Sequence, residues 1–508
     1  MRRGMIGVTV AGMVAAMLGG VSAPAGASAR TVAVHAGSLP RAGIVNVASL
    51  PRATGHPAGT GGVRSIPLLT RPGNGSAGSA PRAAAAGVRS PLLSIAAGTQ
   101  LTPALKDSDN TSGLTPPDMG VGADATHVVQ MVNVVGKIWT NGVAGSAFQL
   151  NPFFLAGTDF TSDPWVLFDQ ESGRWFAGIF DVTTGGENIA VSTTGSPTGS
   201  WFIYKPVYGN CPDQGKGGVD TNVLSLGFNV FSGLGCTGGF LGGAVEIFNK
   251  AQMIAGASVN FVFTNPQSNW FSMVPAQALS TGMTTQYFAG TTGVSGSTAL
   301  QRVTSTGVPG VSTVTITNLT NLTVKKYTTP PGAVQPGTGT KLAAGDVRMQ
   351  HVVQKVIGGA TELLMTWTNK CKPAGDTSAR DCARVTETNE TTPSVLFGKN
   401  LATLGAYDFY PAATWNSAND AIVTFGQSSS AIQPRLMASA VSGGGFLAPT
   451  VLVTGTNPNT TGRYGDYFAV ALDPGGGTPN QNVWAAGEIG GPVNNDWQTA
   501  VREINVTP

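Results

Sequence analysis

Charge is what this sequence has least of. Only 11% of its 508 residues are Asp, Glu, Lys or Arg, less than half of the roughly 25% of an average soluble domain. Long helices and coiled coils are built from Glu/Lys/Arg/Leu-rich windows, so neither is expected. Histidine is scarce as well, at four residues. Only His127 and His351 lie beyond residue 106, both inside strand-like runs, which leaves little for histidine acid–base chemistry. No serine sits in a G-x-S-x-G elbow. The Gly-rich stretch 233–239 has no Lys to make a phosphate loop. Four cysteines without C-x-x-C spacing exclude a Cys-ligated zinc site.

Acid is missing altogether from residues 1–106, which carry nine Arg and one Lys. The other 402 residues hold 19 basic and 26 acidic side chains. A mildly acidic folded part argues against nucleic acid, whose phosphates need a clustered basic surface. What is abundant is glycine (70) and proline (32), the punctuation of a turn-rich, all-β chain.

Arg2 and Arg3 precede an apolar run over residues 5–18, and Ala27-Ser28-Ala29 is a small-x-small cleavage pattern. Residues 1–29 are thus expected to be a secretory signal peptide. The run is short and broken by Gly, and no apolar run of 18 or more follows, so no membrane span is expected. Export makes the even cysteine count a disulfide framework. Pairing of nearest neighbours, Cys211 with Cys236 and Cys371 with Cys382, is expected to contribute about 3 kcal/mol per bridge. Residues 30–105, rich in Ala, Gly, Ser, Pro and Arg, read as a disordered spacer.

From there to residue 508 one unit recurs: an apolar strand, a polar turn, a second apolar strand ending in small residues. Unit starts fall near Asp118, Asp163, Asp220, Gln286, Asp346, Tyr410 and Asp466. Four-stranded antiparallel blades need about 40–50 residues plus insertions. The expected fold is therefore a monomeric seven-bladed β-propeller over residues 106–508, because a chain with so many strands must close on itself or expose edges. Two β-sandwiches are the rival. The last unit has only three strands, so a segment within residues 90–115 is expected to supply its fourth.

Several segments resemble a family of secreted bacterial propeller-like proteins without an established reaction. They are Thr115-Pro-Pro-Asp-Met-Gly-Val-Gly-Ala, Ser172-Gly-Arg-Trp-Phe-Ala, Ile189-Ala-Val-Ser-Thr-Thr-Gly-Ser-Pro-Thr-Gly-Ser-Trp and Gly462-Arg-Tyr-Gly-Asp-Tyr-Phe. The turn Ser196-Pro-Thr-Gly-Ser-Trp201 is also similar to the Asp-box hairpin of sialidase-type propellers, with Ser196 where that motif has Asp. Such hairpins lie on the outside of blades and mark no active site.

In a propeller the first strand of each blade lines the channel. Asp118, Asp163, Asp220, Asp346 and Asp466 would then converge on one mouth, where they repel unless a cation, Arg partners or raised pKa values relieve them. One reading is a calcium site, with Asp118, Asp220 and Asp346 as ligands. Another is glycoside chemistry, a hydrolase or lyase, with Asp163, Asp466 and Tyr467 as catalytic groups. Arg348, Arg463, Tyr464 and Asp118 would hold the substrate, the arginines through bidentate bonds to a sugar carboxylate. The plainer reading is that each Asp caps its own turn and each Arg neutralises the ring. Glu246 and Glu488 are isolated acids that could join a site. Tryptophans spread over the units, Trp139, Trp165, Trp270, Trp415, Trp484 and Trp497 among them, would stack on sugar rings if exposed and fill blade interfaces if not. The expected function is an extracellular recognition or structural module that binds glycan or protein through the channel-mouth loops. The carbohydrate-active enzyme is the alternative.

Overall fold

A computed structural model describes residues 29–56, 64–65, 93–110, 112–476 and 482–507. The predicted signal peptide up to residue 28, and residues 57–63 and 66–92 of the predicted spacer, lie outside these residues. Short β-runs separated by left-handed glycines and Asx turns give antiparallel hairpins throughout. These assemble into seven small sheets arranged as a seven-bladed propeller. Blade 1 begins at Gly120–Ala123, blade 2 at Thr161–Asp169, blade 3 at Cys211–Val219, and blade 4 at Phe271–Pro275. Blade 5 is built on His351–Ile357, blade 6 starts at Tyr407–Trp415, and blade 7 at Ala469–Leu472. Apolar side chains fill the blade interfaces rather than one central core. Trp165 shows how close that packing is: a Cβ on Gly178 or on Gly217 would lie 2.5 Å from its indole, so the ring sits between two glycines from adjacent blades. All nine tryptophans are buried, so of the two readings open for these rings the interface-filling one holds and none is a sugar-stacking platform.

The ring closes as expected. Ser94–Leu101 pairs antiparallel with Trp497–Thr507 and completes blade 7. The two expected disulfides are present as well, Cys211–Cys236 and Cys371–Cys382. The first ties the inner strand of blade 3 to the turn after its second strand, and the second ties two adjacent strands of blade 5.

The spacer expectation is wrong for its described parts. Arg30–Val32 adds the outermost strand to blade 4, a six-stranded sheet, and Val34–Leu39 and Gly43–Asn46 add a fifth strand to blades 3 and 2. Arg52 then bridges to Phe148 on blade 1. The arm therefore runs around the outside of the ring against chain order, from blade 4 back to blade 1, before reaching blade 7. Main-chain pairing with otherwise open outer edges holds it. Short apolar side chains scattered along it, among them Val32, Val34, Leu39, Val45, Val47, Leu50 and Ala53, anchor it to the cores, and because they form no continuous apolar run its composition reads as unstructured.

The two parts of this arm carry different loads. Deleting residues 94–101 exposes the whole outer edge of Trp497–Thr507 and is expected to give an aggregating protein with a strongly lowered melting temperature. Deleting residues 30–46 removes one outer strand from each of three blades and is expected to leave a soluble ring that melts a few degrees lower. Scanning calorimetry and light scattering on the two deletions check this difference.

Candidate functional site

The inner strands share a local distortion. Asp118, Asp163, Gln214, Ser272, Tyr410 and Asp466 all have left-handed backbone, with φ between 38° and 60°. In blades 2, 3, 4 and 6 that residue falls within a break in the register between first and second strands. None is glycine, and for a side chain as large as Tyr410 the conformation is a true outlier. Polar groups on neighbouring blades clamp these bulges. Asn133 Oδ1 accepts from the Asp163 amide at 2.9 Å, Asn229 Oδ1 from the Ser272 amide at 2.8 Å, and Thr368 Oγ1 from the Tyr410 amide at 3.0 Å. The bulges turn one polar side chain after another toward the channel mouth.

There the side chains interlock. Tyr467 donates its hydroxyl to Asp163 Oδ2 at 2.9 Å, and Ser162 donates to Asp163 Oδ1 at 2.8 Å. Asn133 donates to Asp118 Oδ2 at 2.7 Å. The Arg463 guanidinium closes a two-pronged pair on Asp466, whose Oδ1 also accepts from the Tyr410 hydroxyl at 3.1 Å. Arg348 makes the same kind of fork with Asp346, at 2.9 and 3.1 Å, and reaches Gln214 at 3.1 Å. Lys216 lies 3.0 Å from the centre of the Tyr467 ring. Three buried polar atoms of this cluster have no hydrogen-bond partner: Asp118 Oδ1, Gln214 Nε2 and Arg463 Nε.

Electrostatics follow from five carboxylates facing three cations. Burial, then Asp466 and Asp163, pushes Asp118 well above the ordinary carboxylate range. Burial and Asp163 raise Asp213 to about 7 against the pull of Arg348. Burial draws Lys216 down to about 8 although four carboxylates oppose it. For Arg463 burial acts downward, and the Asp466 carboxylate outweighs it and leaves the guanidinium above its usual value. Below the mouth the channel narrows to a cavity of about 70 Å³ lined by Trp165, Lys216, Gln350, His351 and Phe468. Burial lowers His351 to about 4, so its imidazole is neutral.

Asp118, Asp163, Arg348, Asp346, Arg463, Asp466 and Tyr467 thus belong to one neighbourhood. Asp220 does not. It sits in the turn after Cys211–Val219, where its Oδ1 accepts from the amides of Asn222 and Val223 at 2.7 and 2.8 Å. The inner strand of blade 3 lies just before it, and the sequence Cys-Pro-Asp-Gln-Gly-Lys-Gly-Gly-Val conceals that strand behind three glycines. Asp213, Gln214 and Lys216 were missed for this reason. Gln286 likewise starts the second strand of blade 4, not the first. With Asp220 remote and Asp346 held by Arg348, the expected calcium ligands do not converge. Among the described residues no three His, Cys, Asp or Glu side chains could hold a metal ion. Tyr464 is also not placed for substrate: fully buried, it donates to the Glu488 carbonyl oxygen at 2.6 Å and packs on Phe409. Glu488 accepts from the Gly465 amide at 2.6 Å and from Asn459 at 3.2 Å, fixing the loop that carries Asp466.

No family model and no curated protein matches the sequence, so the resemblance to a secreted bacterial family has no support beyond architecture. Solved structures with similar folds include a mutant of AofleA from Arthrobotrys oligospora, at 9% identity and a TM-score of 0.35 over 87% of this chain and 97% of that one. The Hadza microbial sialidase Hz136 is similar at 10% identity and 0.33 over 73% of each chain. Trypanosoma rangeli sialidase is similar at 8% and 0.32, and the match spans 67% of this chain but only about half, 54%, of that enzyme. These likenesses concern the propeller fold alone.

The raised Asp213 pKa has a signed consequence. The folded protein keeps this proton up to about pH 7, while the unfolded chain releases it near the ordinary value of 3.8. Its contribution to stability is therefore complete below that value and is lost as pH rises toward 7. Asp213→Asn is expected to melt higher than the unaltered protein at about pH 8, with the gain shrinking toward zero by about pH 4. Thermal melts across that range check the sign.

Proposed function

We propose that the protein is an extracellular recognition module whose channel mouth binds a neutral, hydroxyl-rich ligand, a segment of glycan. The observation that carries this reading is the mixed set of unsatisfied atoms in a clamped polar ring: one acceptor, Asp118 Oδ1, and two donors, Gln214 Nε2 and Arg463 Nε. Sugar hydroxyls donate and accept in turn, so one ligand answers both needs. An anionic sugar is disfavoured, because the forks of Arg348 and Arg463 are already closed on Asp346 and Asp466. Strained backbone at six blade starts fits the same reading, since left-handed non-glycine residues persist where a rigid surround holds them for a purpose. Two disulfides support work outside the cell, and among the described residues no helix is long and apolar enough to cross a membrane.

A hydrolase is the second reading, favoured by one detail: Tyr467 is bonded to Asp163 beside an acid, Asp213, that titrates near 7. A neighbouring pair of that kind is a usual source of acid–base chemistry.

Calorimetric titration of neutral oligosaccharides into the purified protein separates the two. Saturable binding without turnover is expected, weakened roughly tenfold in Lys216→Met and Tyr467→Phe, with melting temperatures within a few degrees of the parent. Absence of binding across the panel, or indifference to both substitutions, sinks the recognition reading. Turnover abolished by Asp163→Asn establishes the hydrolase instead.

A further inference from the structure

A second concavity lies outside the channel, where the chain passes from blade 2 to blade 3. Its volume is about 330 Å³, within the range of small-molecule sites, whose lower end is about 300 Å³. The blade 3 strand register decides what lines it. Leu226 is paired with Glu246, Phe228 with Ala244, and Glu246 with Phe263, so Phe228, Glu246, Phe263 and, two residues before it, Phe261 share one face of the sheet. The connecting segment brings Tyr208 across this face, its ring 5.3 Å from that of Phe228. Phe261 and Phe263 stand side by side with their centroids 6.1 Å apart. Four aromatic rings therefore wall the cavity.

At its base is a carboxylate. Glu246 is fully buried. Its Oε2 accepts from the Tyr208 hydroxyl, and its Oε1 has no partner. A second carboxylate, Glu187, stands nearby, equally buried, with Oε1 bound to the Trp165 indole N–H at 2.7 Å and Oε2 unpartnered. The cavity lining contains no Lys, Arg or His. Burial pushes Glu246 up to about 8 against the Tyr208 hydrogen bond, which is how an acid behaves when no cation answers it.

Aromatic faces around an unanswered carboxylate are complementary to one class of ligand. A methylated ammonium group places diffuse positive charge against ring faces and needs no hydrogen bonds for its methyls. We propose that the cavity between blades 2 and 3 binds a small alkylammonium cation, with Glu246 as its counter-ion and Tyr208, Phe228, Phe261 and Phe263 as its cage. A sugar would leave Glu246 protonated, whereas a cation stabilises its ionised form, and a metal ion would find a single carboxylate in the lining, whose other polar side chains, Ser38, Tyr208, Asn210, Thr264 and Asn265, are neutral. The site is separate from the channel mouth and does not depend on what binds there.

Choline and its uncharged isostere 3,3-dimethylbutanol are the probes, titrated calorimetrically into the full chain. Choline is expected to bind saturably and at least about tenfold more tightly than the isostere, and Glu246→Gln to remove that preference. The Gln variant keeps the shape of the side chain, and its melting temperature shows whether the fold is intact. Phe263→Leu, which takes away one ring face without touching the acid, is expected to weaken choline several-fold. Equal affinity for the two probes, no saturable binding of either, or a folded Glu246→Gln protein that binds choline unchanged would each overturn the assignment.

Discussion

Everything in this molecule depends on the antiparallel ladder between residues 94–101 and 497–507. A propeller blade has an inner strand facing the channel and an outer one facing solvent, and neither is stable without its neighbours. Closing the ring with a strand from the far end of the chain converts seven weak sheets into one cooperative body. Side-chain chemistry confirms the join at its ends: Ser94 and Thr507 hydroxyls meet, and Thr499 and Trp497 bond to backbone carbonyls at 105 and 114. The channel mouth exists only because this closure brings Asp118 and Asp466, 348 residues apart, into one electrostatic neighbourhood.

Within the closed ring, backbone distortion and charge support one another. Each bulge tips a polar side chain inward, and each inward carboxylate needs a donor. Asn133 serves two blades at once, holding Asp118 with its amide nitrogen and the Asp163 backbone with its oxygen. Arg463 and Arg348 neutralise the acids closest in sequence, while the remaining excess of negative charge appears as the raised pKa values of Asp118 and Asp213. Removing one partner of such a buried pair costs about 3–5 kcal/mol because the other charge is then stranded. The cluster thus stiffens the mouth whatever it binds.

Much of this was legible from residues alone, and the failures have physical causes. Seven units, the closing strand and both disulfides followed from recurrent spacing, edge control and loop length. Asp118, Asp163 and Asp466 stood out because each precedes a strong apolar strand. Blade 3 was misread because its inner strand is mostly Gly, Pro and polar residues: glycine there makes room for Trp165 from blade 2, and such tertiary fit leaves no local apolar signal. Asp220, an ordinary turn carboxylate, took its place. The outer arm escaped for the opposite reason, since strands held by main-chain pairing at an edge need almost no hydrophobic pattern. The aromatic cavity was invisible because its rings come from three separated stretches, joined only by strand register and one connecting loop.

The outer arm imposes an order on biosynthesis. Residues 30–32 are made early, yet their partners at 316–318 follow almost three hundred residues later, and residues 94–101 must wait for residues 497–507. A chain produced in that order carries an unfinished seam until residues 497–507 are made. The N-terminal strands therefore stay without partners through most of translation, and the ring of blades locks only after residues 497–507 have joined residues 94–101.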